Sequence, residues 1–198
     1  MIILVVCVIE EKIKVFDLIK NILKSSGGKG SIFLYGNADF SSDIKKYIAE
    51  NDVLIFRYIN PALLLNLHLG EHLSYYSNFI DLAVVGDCGK YRDCIDIFRL
   101  GHIKSVLLNI ETSGNLNSRD NDIQIITCGL KEKDTVIFSS INLDEETVIL
   151  DLQRSVRNIK DEVVEPFKKQ INMPEFILTE KTEDLILSLT ALTFCEKI

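Results

Sequence analysis

The sequence lacks an excess of positive charge. Its 198 residues include 22 Lys and Arg against 29 Asp and Glu, which gives a formal net charge of −7. A chain of this charge has no field that would collect polyanions. Its most basic segment, Arg154 to Lys169, is interrupted by Asp161, Glu162 and Glu165. We therefore do not expect nucleic acid as a partner.

Signals for export or membrane insertion are also lacking. The apolar run at the start of the sequence, Met1 to Ile9, is about half as long as a membrane span and has no positive residues before it. Glu10 and Glu11 follow it directly. Such a run is typical of a buried strand, so we expect a cytoplasmic protein without a membrane partner.

Residue patterns for a metal site are sparse. The five cysteines show no metal-like pairing, because five residues separate Cys88 from Cys94 and no second pair lies near them. His68 and His72 fall at positions i and i+4, but Glu71 stands in the wrong place for a zinc helix. We expect reduced, mostly buried cysteines, and neither a metal nor another cofactor.

What the chain does contain is a regular alternation of strand and helix patterns. It opens with a β-branched run typical of a strand covered on both faces, and apolar residues at helical spacing follow from Glu11 to Lys24. Further strands are predicted at Ser31 to Tyr35, Asp52 to Arg57, Asp81 to Gly86, Ile103 to Asn109 and Asp122 to Cys128. The intervals between them leave room for crossover helices, predicted at Ser41 to Glu50 and Tyr91 to Leu100.

This alternation predicts an α/β fold with a doubly wound, mainly parallel sheet and helices on both faces. A length of 198 residues with 47% hydrophobic side chains is enough for one sizeable core. We therefore expect a single domain over residues 1–198.

The pattern changes in the last third of the chain. Thr135 to Ile141 and Thr147 to Gln153 are β-rich runs whose spacing suits a hairpin, which predicts an antiparallel extension of the sheet. Val163 to Lys169 predicts an edge strand, because Pro166 is tolerated only at an edge or a bulge. Thr182 to Lys197 is the last predicted helix.

The glycine-rich segment from Ser25 to Ser31 has the composition of a phosphate-binding loop, but its order is reversed. A phosphate loop runs from strand to glycines to helix, so that the positive end of the helix faces the anion. This segment runs from helix to strand, which is typical of a turn with a glycine as the left-handed cap. A true loop would follow Ile9, where Glu10 and Glu11 would repel a phosphate.

Several of these stretches together resemble the central domain of the Mur ligases, the ATP-dependent enzymes that add amino acids to peptidoglycan precursors. The opening strand, helix and glycine turn match the layout of that family. Asp52 to Arg57 resembles the strand that ends in the family's metal-binding glutamate, and Phe79 to Val85 resembles the strand before its asparagine and histidine motif. Val106 to Asn109 and Ile126 to Leu130 resemble its "LN" strand and its "ITYGL" segment. The resemblance covers nearly the whole chain and implies the Mur ligase middle-domain fold.

The residues that carry the family's chemistry are replaced. Val8 to Lys14, without a glycine, stands where the family has its GTxGKT loop, and the histidine motif is shortened to Gly86 to Tyr91. Arg57 stands at the position of the metal-binding glutamate, where Mg²⁺ needs an oxygen ligand, and the modified lysine falls near Cys94. Phosphoryl transfer depends on positioning and charge neutralisation. The resemblance therefore implies a degenerate relative without ATP-dependent ligase activity.

Two functions stay open at this point. The first is a non-catalytic binding or regulatory module that acts through contacts with a protein partner or with a second copy of the chain. Candidate contact surfaces are the leucine-rich segment Pro61 to Leu69 and the outer side of the last helix around Phe194.

The alternative is an enzyme or small-molecule-binding protein that uses a charged cluster after a strand end, where open α/β sheets bind their ligands. The cluster consists of Asp87, Lys90, Arg92 and Asp93. The same residues are also typical of a solvated loop. The candidate binding residues are Arg57, Asp87, Lys90 and Arg92, and we expect no catalytic set of the Mur type.

Overall fold

The computed structural model describes residues 4–10, 14–26, 31–34, 53–58, 80–87, 103–109, 123–158 and 160–196. The strands in these ranges are β1 (Leu4–Ile9), β2 (Ser31–Leu34), β3 (Val53–Tyr58), β4 (Ile80–Val85), β5 (Ile103–Leu108), β6 (Gln124–Gly129), β7 (Val136–Asn142), β8 (Thr147–Leu152), β9 (Val156–Arg157), β10 (Val163–Val164) and β11 (Phe167–Asn172). The helices are α1 (Val15–Ser25), α2 (Glu175–Leu178) and α3 (Thr182–Phe194).

Nine strands form one sheet in the order β11-β8-β7-β6-β5-β4-β1-β3-β2. Every neighbouring pair from β2 to β7 is parallel. β8 pairs antiparallel with both β7 and β11. The predicted fold class is confirmed, with a mainly parallel sheet and an antiparallel hairpin extension.

The central parallel strands are apolar because the sheet is buried there. In β4, Leu82, Ala83, Val84 and Val85 are all fully buried. β8 instead alternates, with Leu150 and Leu152 buried and Asp151 only half-buried between them. Alternation of this kind is typical of an antiparallel strand with one face on the core.

Helix α1 is amphipathic and buries its apolar stripe, including Phe16, Ile19 and Ile22. Helix α3 packs against α1 and over the strands from β4 to β7, so it is buried on nearly all sides. Phe194 is only 6% exposed. The expected contact surface around Phe194 is therefore wrong, because this side chain belongs to the buried core.

The predicted edge strand from Val163 to Lys169 is two strands. β10 pairs with β9 in a separate two-stranded ribbon, and β11 forms the edge of the main sheet. Pro166 lies between them, since it has no N–H group to donate to either ladder. The ribbon is held to the sheet by Gln124, whose side-chain amide donates to the carbonyl of Arg157 at 2.7 Å and accepts from its N–H group at 2.6 Å.

Some predicted elements lie outside the described residues. These are the glycine turn after α1, the helices at 41–50 and 91–100, and the leucine-rich segment at 61–69. Within the described ranges, no helix has the length and apolar character needed to cross a membrane.

Candidate functional site

The carboxyl ends of β3, β1 and β4 meet at one edge of the sheet. Val8 of β1 lies opposite Arg57 of β3 on one side and Val84 of β4 on the other. Glu10 follows β1 directly, and Asp87 stands two residues after the end of β4. In the sheet, β1 lies between β3 and β4, so the strand order reverses direction at β1. Open α/β sheets usually bind their ligands at the carboxyl ends of the strands at such a position.

Glu10 caps the N-terminus of α1 with its own carboxylate. Oε2 accepts hydrogen bonds from the backbone N–H groups of Lys14 at 3.2 Å and Val15 at 2.9 Å. Oε1 accepts one from Phe16 at 3.1 Å. The residue is only 1% exposed. Its carboxylate thus satisfies N–H groups that have no partner inside a helix and places a negative charge at the positive end of the helix dipole.

Gly86 lets the end of β4 approach Glu10 closely. A Cβ atom on Gly86 would lie 3.2 Å from the Cβ and Oε2 atoms of Glu10 and 3.2 Å from a methyl group of Val15. These distances are tighter than ordinary van der Waals contacts. The carboxylate is therefore enclosed by α1 on one side and by the backbone after β4 on the other.

Asp184, in the first turn of α3, brings a second buried carboxyl group to this edge. Burial raises the pKa of Asp184 above its ordinary value, whereas the positive charges of Lys181 and Lys14 lower it. Asp87 raises the pKa further, which places its charge close to the start of α3. The N-termini of α1 and α3 and the residue after β4 thus share one charged environment.

Of the predicted site residues, two lie in described parts of the chain. Arg57 stands in β3, two residues back from the level of Glu10, and its position is given by its backbone pairing with Val8. Asp87 is half-buried at the same edge. Lys90, Arg92 and Asp93 lie outside the described residues, so a ligand site built from them stays a prediction.

Two features of this edge are not apparent from the sequence. Glu10 was expected to repel a phosphate, but its carboxylate fills the position that a phosphate would take. Asp184, in the first turn of α3, is buried near the charge of Lys14, which the sequence pattern does not predict. For the Glu10 carboxylate, the sequence signal is an acidic residue directly after the first strand. For the burial of Asp184, the sequence offers no signal.

The described residues contain no group of three or more His, Cys, Asp and Glu that could hold a metal ion. Glu10 already accepts backbone hydrogen bonds with both carboxylate oxygens. The carboxylate of Glu10 therefore offsets the positive end of the α1 dipole with a negative charge from the same chain.

No protein-family model matches the chain, and no curated protein sequence matches it either. Among solved structures, the chain is similar to a crystal structure of MurF from Acinetobacter baumannii, with a TM-score of 0.48 and 11% identical residues. The likeness covers 99% of this chain and 43% of that one, so the chain spans less than half the length of MurF. At this degree of likeness, nothing about catalysis carries over to the chain.

Proposed function

We propose that this chain is a Mur ligase-like domain without ligase activity, which acts as a binding or regulatory module through contacts with another protein chain. The observation that carries the proposal is the position of the Glu10 carboxylate at the N-terminus of α1. The resemblance of the sequence to the Mur ligases supplies the comparison with a nucleotide-binding ancestor.

Nucleotide loops hold phosphate through backbone N–H groups at the start of the helix that follows the first strand. In this chain those N–H groups, on Lys14, Val15 and Phe16, already donate to Glu10. Hydrogen bonds to a charged group contribute about 1.5–3 kcal/mol each. A phosphate would have to displace this carboxylate and would then lie beside a second negative charge. Binding of ATP in the Mur ligase manner is therefore disfavoured.

The residue at the position of the family's metal ligand also supports the loss of ligase activity. Arg57 stands in β3 beside β1, where the resemblance places a metal-binding glutamate. Mg²⁺ binds oxygen ligands, and a guanidinium group has none to offer. A chain that lacks the phosphate cradle and this metal ligand lacks the main means of phosphoryl transfer.

Contact with another protein is the use that the described surface supports best. Two large apolar side chains, Leu143 and Phe176, are 44% and 62% exposed. They stand on neighbouring parts of the chain, because Glu146 of the β7–β8 turn accepts a hydrogen bond from the N–H group of Glu175 at 3.3 Å. We infer that the two side chains contribute to one contiguous apolar patch, since patches of this kind are typical of contact surfaces.

Titration calorimetry with Mg-ATP tests the loss of nucleotide binding. We expect no saturable heat from the wild-type chain. Glu10→Ala frees the N–H groups of α1, so any gain of weak phosphate binding should occur in this variant and not in Glu132→Ala, which changes an exposed acid elsewhere. Stoichiometric binding of Mg-ATP by the wild-type chain at micromolar affinity would contradict the proposal.

Sedimentation velocity tests the association. We expect the wild-type chain either to self-associate at micromolar concentration or to form a complex with a partner protein added from its native host. Leu143→Ser combined with Phe176→Ser should weaken this association, whereas Leu130→Ser, which changes an apolar side chain that is 63% exposed in the β6–β7 turn, should not. A strict monomer with no partner recovered from cell extract removes the support for a contact function.

A further inference from the structure

Strand β11 lies at one end of the nine-stranded sheet. In the part of the chain that the structure describes, its neighbour is β8, with which it pairs antiparallel in an unbroken register from Phe167 to Asn172. The outer side of an edge strand carries backbone N–H and C=O groups without strand partners, and another chain can bind there by adding a strand. The outer side of β11 is therefore a surface on which the sheet can be extended.

A hydrogen bond just after β11 identifies the residues that face outward. The N–H group of Met173 donates to the carbonyl oxygen of Glu146 at 2.8 Å, one step beyond the last strand pair, Asn172 with Thr147. In an antiparallel ladder, every second residue directs its N–H and C=O groups to the same neighbour. Met173 and every second residue before it therefore bond toward β8. The remaining residues of β11 direct their backbone groups outward and form what we call the open edge: Lys168, Gln170 and Asn172.

The open edge is accessible and carries little net charge. All three of its residues are exposed. Lysine at the edge of a sheet commonly opposes pairing with another chain. Here the charge of Lys168 is offset, because its ammonium group forms an ion pair with Asp151 of β8 at 3.1 Å. Gln170 and Asn172 are neutral, so charge repulsion does not protect the open edge from an added strand.

The open edge is symmetric about Gln170. If a second copy approaches antiparallel with the two Gln170 residues opposite each other, Lys168 of each copy lies opposite Asn172 of the other. Every outward N–H group of one copy then meets an outward C=O group of its partner. Like charges directly opposite each other would be destabilising, and this register has none at the open edge. A second copy therefore satisfies the whole open edge.

We propose that two copies of this chain associate through β11, with their sheets joined antiparallel about a two-fold axis at Gln170. The proposal rests on the proposed contact function and names a second copy as the partner. The turn that carries the exposed Leu143 adjoins the end of the strand, because its Glu146 bonds to Met173. One pair of short strands buries little surface, so we expect a weak dimer with a dissociation constant of about 10 μM.

Single cysteine substitutions test the register. In the proposed dimer, the two Gln170 residues form a hydrogen-bonded pair with Cα atoms about 5.5 Å apart, a distance that a disulfide spans. The two Lys168 residues lie about 14 Å apart, because each stands opposite Asn172. Under mild oxidation, we expect a disulfide dimer from Gln170→Cys alone. Lys168→Cys and Asn172→Cys should each stay monomeric alone and should crosslink when they are mixed.

Non-reducing gels measure the yield of disulfide dimer. The wild-type chain, oxidised in the same way, gives the background from the native cysteines. Lys168→Cys and Asn172→Cys are matched controls for Gln170→Cys, since all three place a thiol at an exposed position of one strand. A dimer yield from Gln170→Cys at the wild-type level overturns the proposal. Equal yields from the three single variants also overturn it, because they indicate random collision.

Sedimentation velocity separates this proposal from the proposed function. Gln170→Pro removes an outward N–H group and leaves the bonds to β8 in place, so we expect the dissociation constant to rise at least about tenfold while circular dichroism stays unchanged. Gln170→Ala keeps the N–H group and should change the dissociation constant less than about threefold. Equal dissociation constants for these two variants overturn the proposal.

Two other outcomes overturn the β11 contact and leave the proposed function in place. One is association that persists in Gln170→Pro and is lost when Leu143→Ser and Phe176→Ser are combined. The other is a purified chain that stays monomeric and associates only with a different protein. A chain that associates with no protein overturns both proposals.

Discussion

The carboxylate of Glu10 lies 2.9 Å from the backbone nitrogen of Val15 and accepts its hydrogen bond, five residues along the chain. This contact connects the end of the first strand to the start of the first helix. Helix α1 begins at Val15, whereas the apolar pattern predicts a helix from Glu11; residues 11–13 lie outside the described residues.

Glu10→Gln should lower the free energy of unfolding by about 2–3 kcal/mol. The amide keeps one acceptor but turns a donor group toward backbone N–H groups, and it removes a negative charge from the helix N-terminus. Urea unfolding followed by circular dichroism measures the loss. Glu132→Gln, on an exposed turn, is the control and should shift the free energy by less than about 0.5 kcal/mol. Equal midpoints for the two variants would show that the Glu10 contacts contribute little.

Gly129→Ala should destabilise the turn between β6 and β7. A Cβ atom on Gly129 would lie 2.2 Å from Oδ2 of Asp134, and this buried oxygen accepts a 3.1 Å hydrogen bond from the N–H group of Lys131. Moving the carboxylate breaks that bond, so we expect a loss of about 1–3 kcal/mol. In the background of Asp134→Ala, the same glycine change should cost much less, and a double-mutant cycle measures the difference. If the free-energy costs of the two substitutions add, the added Cβ atom is accommodated without moving the Asp134 carboxylate.

Asp184→Asn should change how stability depends on pH. Burial raises the pKa of Asp184 in the folded chain, so the folded state holds this proton more tightly than the unfolded state. The wild-type chain therefore loses stability as pH rises through the ordinary aspartate range and above it, and the asparagine variant does not lose this part. We expect the variant to gain stability relative to the wild-type chain as pH rises above the ordinary aspartate pKa of about 3.9.

Unfolding curves at several pH values test this sign. Asp144→Asn, on the exposed β7–β8 turn, is the control, and its free energy of unfolding should depend on pH in the same way as that of the wild-type chain. A free energy of unfolding for Asp184→Asn that falls relative to that of the wild-type chain as pH rises would contradict the expectation.

Cys128 should resist alkylation in the folded chain. Its thiol is fully buried, and burial raises its pKa far above the ordinary value, so the reactive thiolate does not form at neutral or mildly alkaline pH. We expect peptide mass spectra to show no modification of Cys128 by iodoacetamide at about pH 8 in the native chain, and complete modification of Cys128 in urea. Thr190→Val is a useful comparison, because it removes the hydroxyl near the thiol sulfur, and the site should stay unreactive. Modification of native Cys128 within minutes would mean that this part of the core opens readily.

The sheet could be predicted from the sequence because its strands are long enough to carry a pattern. β1 is apolar throughout, β4 and β5 end in the apolar runs Leu82 to Val85 and Val106 to Leu108, and the period changes where the antiparallel strands begin. β9 and β10 have two residues each, too few for any periodicity, and the role of Pro166 as a separator depends on them. The burial of Phe194 is likewise not apparent from the pattern of α3, since it depends on which residues pack against the end of that helix.

The candidate site was less predictable than the sheet. That an acid at position 10 opposes phosphate binding follows from its charge alone. That its carboxylate accepts three backbone hydrogen bonds from α1 depends on the position of that helix relative to the end of β1 and on the close approach of Gly86. Neither is a property of residue type.

The packing of α3 against α1 has a consequence for how the chain folds. The hydroxyl of Ser188 lies 3.4 Å from the carbonyl oxygen of Val15, although 173 residues separate the two along the sequence. Helix α1 leaves the ribosome before α3, so part of its packing surface is not made until residues 182–194 have been translated. A growing chain must therefore carry an incompletely covered α1 while the residues between the two helices are synthesised. Contacts between such distant segments also slow folding after release, because a long loop has to close before they form.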